Sequence, residues 1–279
     1  MPEADDTHRG APAEYRTIDL DQPSEARLYD LFLGGKNNFE VERRLYQDVV
    51  KLAPETPQLA AANRRWLAHA IGRMVIDGHI GQFLDLGAGL PTLDNTHEIV
   101  ARADPDGVVV YVDNDLTAVT HGQALLADYQ HSFFAEADLT DPAAVLRHPV
   151  VTEAIDLSRP VGLLLGMVLQ AIPDTEQAAR IVAEYLAAVP AGSYLALTHP
   201  VNPRDGSRFA SFARSIEEKL GEAFPNLRFR TPAEVGGFLT GLQLVPPGLV
   251  DLASWPLDGP GVSAAGAGQL LLVALGRKP

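Results

Sequence analysis

The fold of this chain is decided by the stretch GQFLDLGAGLPT at residues 81–92. A short apolar run ends there in two glycines spaced by one residue, and a segment with helical periodicity follows. Gly87 and Gly89 can adopt backbone conformations that a side chain disfavours, and they leave room for a ligand atom. Thr92 is placed to cap a helix that starts near Leu93. A strand, a glycine turn and a helix in this order predict the first unit of a Rossmann-like fold.

Two acidic residues stand beside this turn in the sequence. Asp85 precedes Gly87 by two residues, and Asp113 closes the next apolar run, 24 residues after Gly89. A carboxylate at that offset suits the two hydroxyls of a ribose, because its two oxygens match two donors. Asp85 is unfavourable beside a pyrophosphate and favourable beside a cation, and Thr92 stands where a dinucleotide site has its third glycine. A nucleoside with a positively charged amino-acid tail fits both acids, and S-adenosylmethionine is such a molecule.

Composition bounds the classes of protein that this chain can belong to. Its 279 residues, 46% of them hydrophobic, suffice for one large α/β domain with extra elements. The formal charge of −14 argues against nucleic acid as the main substrate. No cysteine is present, so disulfides and thiolate chemistry are excluded. The longest apolar run, near residues 161–172, is too short for a bilayer, and residues 1–6 do not resemble a signal peptide. We expect a soluble cytoplasmic protein with no membrane partner.

The order of elements predicts a single domain at residues 24–279 that follows a flexible arm at residues 1–23. Three helices at residues 24–76 precede the first strand, and we expect them to form a lid. Strands then alternate with helices, and a closing pair of strands completes a seven-stranded, mostly parallel sheet with one reversed strand. Residues 258–268 are predicted to be a loop. The predicted strands lie at residues 83–86, 108–112, 132–137, 161–165, 194–198, 242–245 and 269–275.

Ligands of an open α/β sheet bind beyond the carboxyl ends of its strands, so the residues at those ends are candidates for cofactor contact. Asp138 can accept a hydrogen bond from an adenine amino group, and Leu139 can pack on the ring. We interpret Asp115 and Asp141 as helix caps. The candidates at the strand ends are Asp85, Gly87, Gly89, Asp113, Asn114, Asp138, Leu139, Gly166 and Met167.

Several other polar residues have a plain structural interpretation. Lys36, Asn37 and Asn38 follow two glycines, a pattern typical of a helix end and an asparagine turn. The segment at residues 63–65 (Asn-Arg-Arg) is typical of a solvated helix face. His199 and Gln170 are candidate acid/base or orienting groups, although a lone histidine at a strand end is more often structural. The histidines show no metal-binding spacing, and neither a nucleophile elbow nor a phosphate-binding loop occurs. No catalytic residue is assigned.

Four segments together resemble one bacterial family of S-adenosylmethionine-dependent methyltransferases, formerly known as a domain of unknown function. They lie at residues 28–39 (LYDLFLGGKNNF), 62–64, 83–92 and 110–115. The closing stretch at residues 241–250 with Trp255 is also similar, so the resemblance covers nearly the whole chain past the arm. The leader motif at residues 28–39 is the specific part, because many unrelated methyltransferases share the glycine turn.

The resemblance implies the class I methyltransferase fold, with strand order 3-2-1-4-5-7-6 and bound S-adenosylmethionine or its product S-adenosylhomocysteine. It assigns Asp85 and the two glycines to the methionine part of the cofactor, Asp113 to the ribose, and Asp138 with Leu139 to the adenine. It also implies a lid built from Tyr29, Lys36, Asn37 and Asn38. We expect Asn37 or Asn38 to reach the methionine end, and residues 24–50 to become ordered on binding.

The acceptor implied by the resemblance is an unidentified small molecule. Pro91 and Thr92 replace the third glycine common in this class, and the fourth strand lacks the Asn-Pro-Pro-Tyr pattern of enzymes that methylate base amino groups. Two alternatives stay open. One is a non-catalytic module that binds S-adenosylmethionine, because a fold does not determine activity. The other is an NAD-dependent oxidoreductase, which Asp85 and Thr92 disfavour.

Overall fold

The computed structural model of the protein describes residues 17–91, 94–256 and 267–279. Its first elements are the three predicted leader helices: α1 (Glu25–Phe32), α2 (Glu40–Leu52) and α3 (Thr56–Ile76). The Ser24 side chain accepts a hydrogen bond from the Arg27 N–H and so caps α1, and Gly34, with φ of +82°, follows its end. Helix α3 has a proline in its first turn, where the missing N–H is not needed.

The central sheet has the predicted strand order. Parallel pairing joins β3, β2, β1, β4 and β5 in that spatial order, and β8 then runs antiparallel to β5. The strands are β1 (Gln82–Leu86), β2 (Val108–Asp113), β3 (Ser132–Glu136), β4 (Gly162–Gly166), β5 (Tyr194–Pro200), β6 (Gln243–Leu244), β7 (Val250–Asp251) and β8 (Leu271–Arg277). The helices between and after them are α4 (Thr96–Ala103), α5 (Leu116–Leu126), α6 (Pro142–Arg147), α7 (Pro149–Ala154), α8 (Thr175–Ala188), α9 (Arg208–Gly221) and α10 (Pro232–Gly237).

The edge of the sheet differs from the prediction in one respect. The edge strand predicted at residues 242–245 corresponds to the shorter β6, and a further two-residue strand, β7, also pairs with β8, so the sheet has eight strands rather than seven. Pro246 and Pro247 lie between β6 and β7, and proline has no N–H to donate to a ladder. The order 3-2-1-4-5-7-6 is otherwise confirmed.

The helix after the glycine turn also begins later than predicted. Asn95 caps α4, which starts at Thr96 rather than near Leu93. Thr92, the predicted cap, lies outside the described residues, as do residues 1–16 of the arm and most of the loop predicted at 258–268. Residues 267–270 form a 3-10 turn. The predicted caps Asp115 and Asp141 are confirmed, and Asp174 caps α8 in the same way, since each side chain accepts a backbone N–H of the helix that follows.

Helix α3 is part of the core. Its Trp66 and Met74 are completely buried and pack with β-strand residues such as Phe83 and Leu164. The ring of Trp66 meets the ring of Trp255 edge-on, with centroids 5.4 Å apart. Since α3 covers one face of the sheet, only α1 and α2 remain as candidates for a movable lid. No helix in the described part of the chain is long and apolar enough to cross a membrane.

Candidate functional site

A cavity of about 720 Å³ lies where the carboxyl ends of β1, β2 and β4 meet helices α1, α3 and α9. Its volume falls within the range of about 300–1,000 Å³ that is usual for small-molecule sites. Ten of the thirteen residues that the sequence nominated line it: Tyr29, Asp85, Gly87, Gly89, Asp113, Asn114, Asp138, Leu139, Gly166 and Met167.

The two glycines of the first turn have different roles. Both have positive φ, +71° at Gly87 and +65° at Gly89, which residues with side chains rarely adopt. A Cβ at Gly87 would lie 2.3 Å from Cγ2 of Val168, so this glycine allows close packing of the turn on the segment after β4. A Cβ at Gly89 would meet no atom within 4 Å. Gly89 therefore leaves open space at the cavity wall.

Asp113 holds the glycine turn. Its Oδ2 accepts the N–H of Gly89 at 2.7 Å, and its Oδ1 accepts the N–H of Asp115 at 2.8 Å. Each carboxylate oxygen keeps a second lone pair for a ligand hydroxyl. Burial raises the pKa of Asp113 above its usual value, and the two backbone hydrogen bonds oppose that rise. The carboxylate is thus positioned by the fold before any ligand binds.

Asp85 is the second acid of the site. Its Oδ2 accepts a hydrogen bond from the Thr96 hydroxyl at 2.7 Å. Burial raises the pKa of Asp85; the Thr96 bond and the charge of Arg64 oppose the rise, whereas the charge of Asp113 adds to it. Because the charge of Asp113 disfavours a second negative charge at Asp85, a cationic group beside the two acids is favoured.

Helix α3 contributes polar groups that the sequence did not nominate for the site. Arg64 donates from Nη2 to the backbone oxygen of Asp94 at 2.7 Å, and Asn63 donates from Nδ2 to the Tyr29 hydroxyl at 2.8 Å. Arg64 Nε and Asn63 Oδ1 are buried and have no hydrogen-bond partner among the described residues. Buried polar atoms are normally paired, so unpaired ones beside a cavity indicate a missing ligand. The segment had been interpreted as a solvated helix face, because residue types alone do not show where α3 points.

The ends of β3 and β4 form the opposite part of the cavity. The side chain of Leu139 lies beside the turn at Gly87, and Asp138 is exposed, with Oδ1 accepting the N–H of Thr140 at 2.8 Å. Met167 has φ of +55°, a conformation uncommon for a residue with a side chain and typical of functional sites. A Cβ at Gly166 would lie 2.8 Å from Cδ1 of Leu67, so β4 ends in close contact with α3.

Lys36, Asn37 and Asn38 do not line the cavity. The N–H of Asn37 donates to Asp30 Oδ2 at 3.1 Å, Asn38 Nδ2 donates to the Gly35 oxygen at 3.1 Å, and Lys36 is exposed. A Cβ at Gly35 would lie 2.1 Å from the carboxylate oxygens of Asp30, so this segment is a tightly packed turn. A contact between these three residues and a cofactor stays a prediction.

A second polar pair in the cavity joins α1 to the segment after β4. Gln170 Nε2 donates to the Met167 oxygen at 2.6 Å and to Glu25 Oε2 at 3.3 Å. Burial raises the pKa of Glu25; the bond from Gln170 opposes this rise and the charge of Asp113 adds to it. The sequence did not nominate Glu25, because its partner lies 145 residues away. Apolar side chains from α9 and the following segment also line the cavity: Ile216, Leu220, Phe224, Leu227 and Phe229.

His199, a candidate acid/base group, is structural. It is fully buried and does not line the cavity. Its Nδ1 lies 2.6 Å from the Pro200 oxygen and its Nε2 lies 3.0 Å from Arg230 Nη1, so Nδ1 donates and Nε2 accepts. Burial lowers the pKa of His199 to about 3, which keeps the ring neutral. Within the described ranges no group of three or more His, Asp or Glu side chains is arranged to hold a metal ion.

The strand order, the glycine turn and the acids at the ends of β1 and β2 define the Rossmann-like class I methyltransferase fold. The pattern of a family described as S-adenosyl methyltransferase matches residues 11–279. The chain belongs to this family. No curated protein matches the chain.

Solved structures support the assignment. A candidate methyltransferase from Thermobifida fusca YX is 37% identical, with a TM-score of 0.87, and the match covers 93% of this chain and 96% of that one. A DUF574 family protein from Streptomyces avermitilis MA-4680 is 33% identical, with a TM-score of 0.87, and covers 94% of this chain and 100% of its own. An O-methyltransferase family 2 protein from Planctomyces limnophilus DSM 3776 shares only the fold, at 17% identity, a TM-score of 0.50 and coverage of 85% and 61%.

Proposed function

We propose that this protein transfers the methyl group of S-adenosylmethionine to a small-molecule acceptor. The observation that carries the proposal is the set of unpaired and prearranged groups in one cavity: two half-buried carboxylates, an open glycine turn, and a guanidinium nitrogen and an amide oxygen without partners among the described residues. S-adenosylmethionine has a ribose diol, an ammonium group, a carboxylate and a sulfonium centre. The first three of these have complementary groups in the cavity.

The residues present fit this cofactor in the following way. Asp113 would accept the ribose hydroxyls with the lone pairs that its backbone bonds leave free. Asp85 and Asn63 Oδ1 would accept the ammonium N–H groups, and Arg64 Nε would pair with the carboxylate. The open space at Gly89 would admit the chain that joins ribose and amino acid.

The adenine end would lie toward β3. Leu139 and Val168 supply apolar surface beside Gly87, and Asp138 and Asn114 supply exposed polar groups at the rim. Gly166 and Met167 shape the wall after β4. Tyr29 orients Asn63 through its hydroxyl. We retain Lys36, Asn37 and Asn38 as lid contacts, which requires α1 and the following turn to move when a cofactor binds.

The cofactor supplies an electrophilic methyl group, and the protein supplies position. In-line displacement depends mostly on holding two reactants in near-attack geometry, so a strong general base is not required. Residues of α1, together with Val49 of α2, line the cavity and would help to exclude water from the sulfonium.

Calorimetry with S-adenosylhomocysteine and with NADH tests the proposal. We expect the first to bind and the second not to; the opposite result would show that the site is a dinucleotide site. Incorporation of labelled methyl groups from S-adenosylmethionine into a pool of cell metabolites would establish transfer. Binding without any transfer would favour the non-catalytic module.

Hydrogen exchange tests the lid. On addition of S-adenosylhomocysteine, amides of α1 and α2 should exchange more slowly, while those of α8 should not change. Helix α8 is a suitable internal control, because none of its residues lines the cavity. Equal protection of all three helices would mean that binding stabilises the whole fold and that no lid closes.

A further inference from the structure

Glu25 and Gln170 occupy a defined place within the cavity. Glu25 lies in the first turn of α1, and Gln170 lies in the 3-10 turn that follows β4. Glu25 is near enough to Asp113 for the charges to interact, and it stands on the same helix as the apolar cavity residues Leu28 and Phe32. The pair therefore lies between the acids assigned to the cofactor and an apolar part of the cavity.

The pair presents hydrogen-bond acceptors only. Both amide hydrogens of Gln170 are used, toward the Met167 oxygen at 2.6 Å and Glu25 Oε2 at 3.3 Å. The opposite amide orientation is excluded, because it would set the Gln170 oxygen against two acceptors. Gln170 Oε1 is buried and has no partner in the described part of the chain. A ligand group that satisfies both Glu25 and this oxygen must carry at least two hydrogens, as an amine does and a hydroxyl does not.

The charged side chains that line the cavity also favour an amine. Among the described lining residues Arg64 has the only cationic side chain, and the proposed cofactor carboxylate would occupy it. The carboxylates around the cavity repel an anionic acceptor and attract a protonated amine. They belong to Glu25, Asp30, Asp85, Asp113, Asp115 and Asp138.

The α1 and α9 side of the cavity favours an apolar body for the acceptor. Most of the lining side chains there are aliphatic or phenyl groups, and Leu220 and Phe224 among them are only partly buried. Such a surface favours an aromatic or aliphatic body over a sugar or a peptide. This wall comprises Leu28, Phe32, Leu220, Phe224, Leu227 and Phe229.

We propose that the methyl acceptor is an amine on an apolar body, with its N–H groups held by Glu25 and Gln170. This inference rests on the proposed function. The protonated amine passes one proton to the Glu25 carboxylate. Its lone pair then forms the nitrogen–carbon bond, while the carbon–sulfur bond breaks and its electron pair stays on sulfur, giving a thioether and a methylated ammonium. Glu25 returns its proton to water after the product leaves. Burial of Glu25 favours its protonated form and so assists this transfer.

Matched probes test the inference by binding rather than by activity. We would titrate the protein, with and without S-adenosylhomocysteine, with 4-phenylbutylamine, 4-phenylbutan-1-ol and 4-phenylbutyrate, and with the corresponding indole series of tryptamine, tryptophol and indole-3-propionate. In at least one series the amine should bind about tenfold more tightly than the alcohol. The carboxylate should show no measurable binding.

Two variants test whether the preference for an amine over an alcohol comes from Glu25 and Gln170. Glu25→Gln should weaken amine binding about tenfold and change alcohol and S-adenosylhomocysteine binding by less than about twofold. Gln170→Met should also reduce the amine preference, and it decides the question if Glu25→Gln fails to fold. Glu176→Gln is the matched control, because Glu176 is likewise an acid in the first turn of a helix but is exposed and outside the cavity.

The outcomes separate the two proposals. Equal binding of amine and alcohol in both series, failure of both amines to bind, or an unchanged preference in the folded variants would overturn the amine assignment and leave the cofactor assignment intact. Absence of S-adenosylhomocysteine binding would overturn the proposed function. The probe titrations without it would still decide whether the pair selects amines.

Discussion

The cavity has two walls that are built in different ways. The strand wall consists of the lining residues at and directly after the carboxyl ends of β1, β2, β3 and β4, and the helix wall consists of those on α1, α2, α3 and α9 and in the segment after α9. In the strand wall, acids bind backbone N–H groups of neighbouring turns, as Asp113 does at Gly89. In the helix wall, side chains join residues far apart in the chain: the Ser24 hydroxyl donates to Asp115 Oδ2 at 2.5 Å across 91 positions.

The two walls therefore differ in which substitutions should weaken them. The strand wall is fixed by parallel register and by turns, so it should survive most single changes outside the turns. The helix wall depends on a buried ion pair between α1 and α2, in which Arg27 Nε donates to Glu42 Oε1 at 2.8 Å. Arg27 also donates to the backbone oxygens of Asp19 and Gln22 and so ties the preceding segment to α1.

Breaking this pair should give the largest effect. Arg27→Met leaves the Glu42 carboxylate, which is fully buried, without its cation. We expect the free energy of unfolding to fall by about 3–5 kcal/mol, as is usual when one partner of a buried pair is removed. Urea unfolding measures it. The double variant Arg27→Met with Glu42→Met should recover part of the loss.

The control is a pair on the surface of α2. Arg44 Nε donates to Glu40 Oε1 at 3.0 Å, with both side chains mostly exposed. Arg44→Met should change stability little, because solvent screens such a pair. Similar losses in the two methionine variants would show that the helix wall does not depend on the buried pair.

Removal of the ribose acid should act on ligand binding at the strand wall. Asp113→Ala should weaken S-adenosylhomocysteine binding by about 1–3 kcal/mol, because two hydroxyls lose their charged acceptor and the Gly89 N–H loses its own. Calorimetry measures the change. Asp174→Ala removes a helix cap that does not line the cavity, and it should lower the melting temperature without changing affinity. An unchanged affinity for Asp113→Ala would place the ribose acid elsewhere, with Asp115 the next candidate.

Substitution of each glycine of the turn tests a different role: Gly87 for close packing and Gly89 for ligand access. Gly89→Ala should cost about 1–2 kcal/mol of stability from its positive φ alone, since its Cβ meets no atom. Its methyl group enters the open space of the cavity, so we expect the cofactor affinity to fall as well. Gly87→Ala should cost more stability, because its Cβ also overlaps Val168. Thermal unfolding and calorimetry on both variants measure these effects. A greater loss of stability for Gly89→Ala would contradict this division of roles.

The smallest effect concerns pH. Burial raises the pKa of Asp85 above its ordinary value of 3.8, so the folded state binds this proton more tightly than the unfolded state. The contribution of this tighter proton binding to the free energy of unfolding is fully present below pH 3.8, and it is lost as the pH rises through the raised pKa of Asp85. Asp85→Asn removes this titration. In the absence of cofactor, we therefore expect the variant to gain stability relative to the natural protein between about pH 4 and pH 8.

An exposed acid provides a control of opposite sign. Hydrogen bonds from Ser158 hold the pKa of Asp156 below its usual value, so its contribution to stability is present at neutral pH and lost on acidification. Asp156→Asn should therefore lose stability relative to the natural protein as the pH rises from about 2 to about 5, the range that contains its lowered pKa and its ordinary pKa. Urea unfolding at the two ends of each variant's pH range measures each difference. A trend of the same sign for both variants would show that Asp85 is not the group that titrates.

The fold was largely predictable because its determinants are local. Apolar runs of strand length, a glycine turn with an acid on each side, and caps such as Asp115 and Asp141 act over a few residues. The misplaced features have local causes too. Asn95 caps α4 instead of Thr92, and Pro246 and Pro247 lie between β6 and the additional strand β7. A single sequence does not show which of two capping residues three positions apart begins a helix.

The amino-acid sequence by itself determined the strand wall: Asp85, Gly87, Gly89 and Asp113 meet because parallel strands bring consecutive carboxyl ends to one edge of the sheet. The helix wall, in contrast, depends on tertiary packing. In the folded protein Asn63 and Arg64 line the cavity, residues 36–38 do not, and Glu25 is hydrogen-bonded to Gln170. The physical reason is that a helix face becomes a cavity wall through packing against distant elements, and the periodicity of its own residues does not specify those partners.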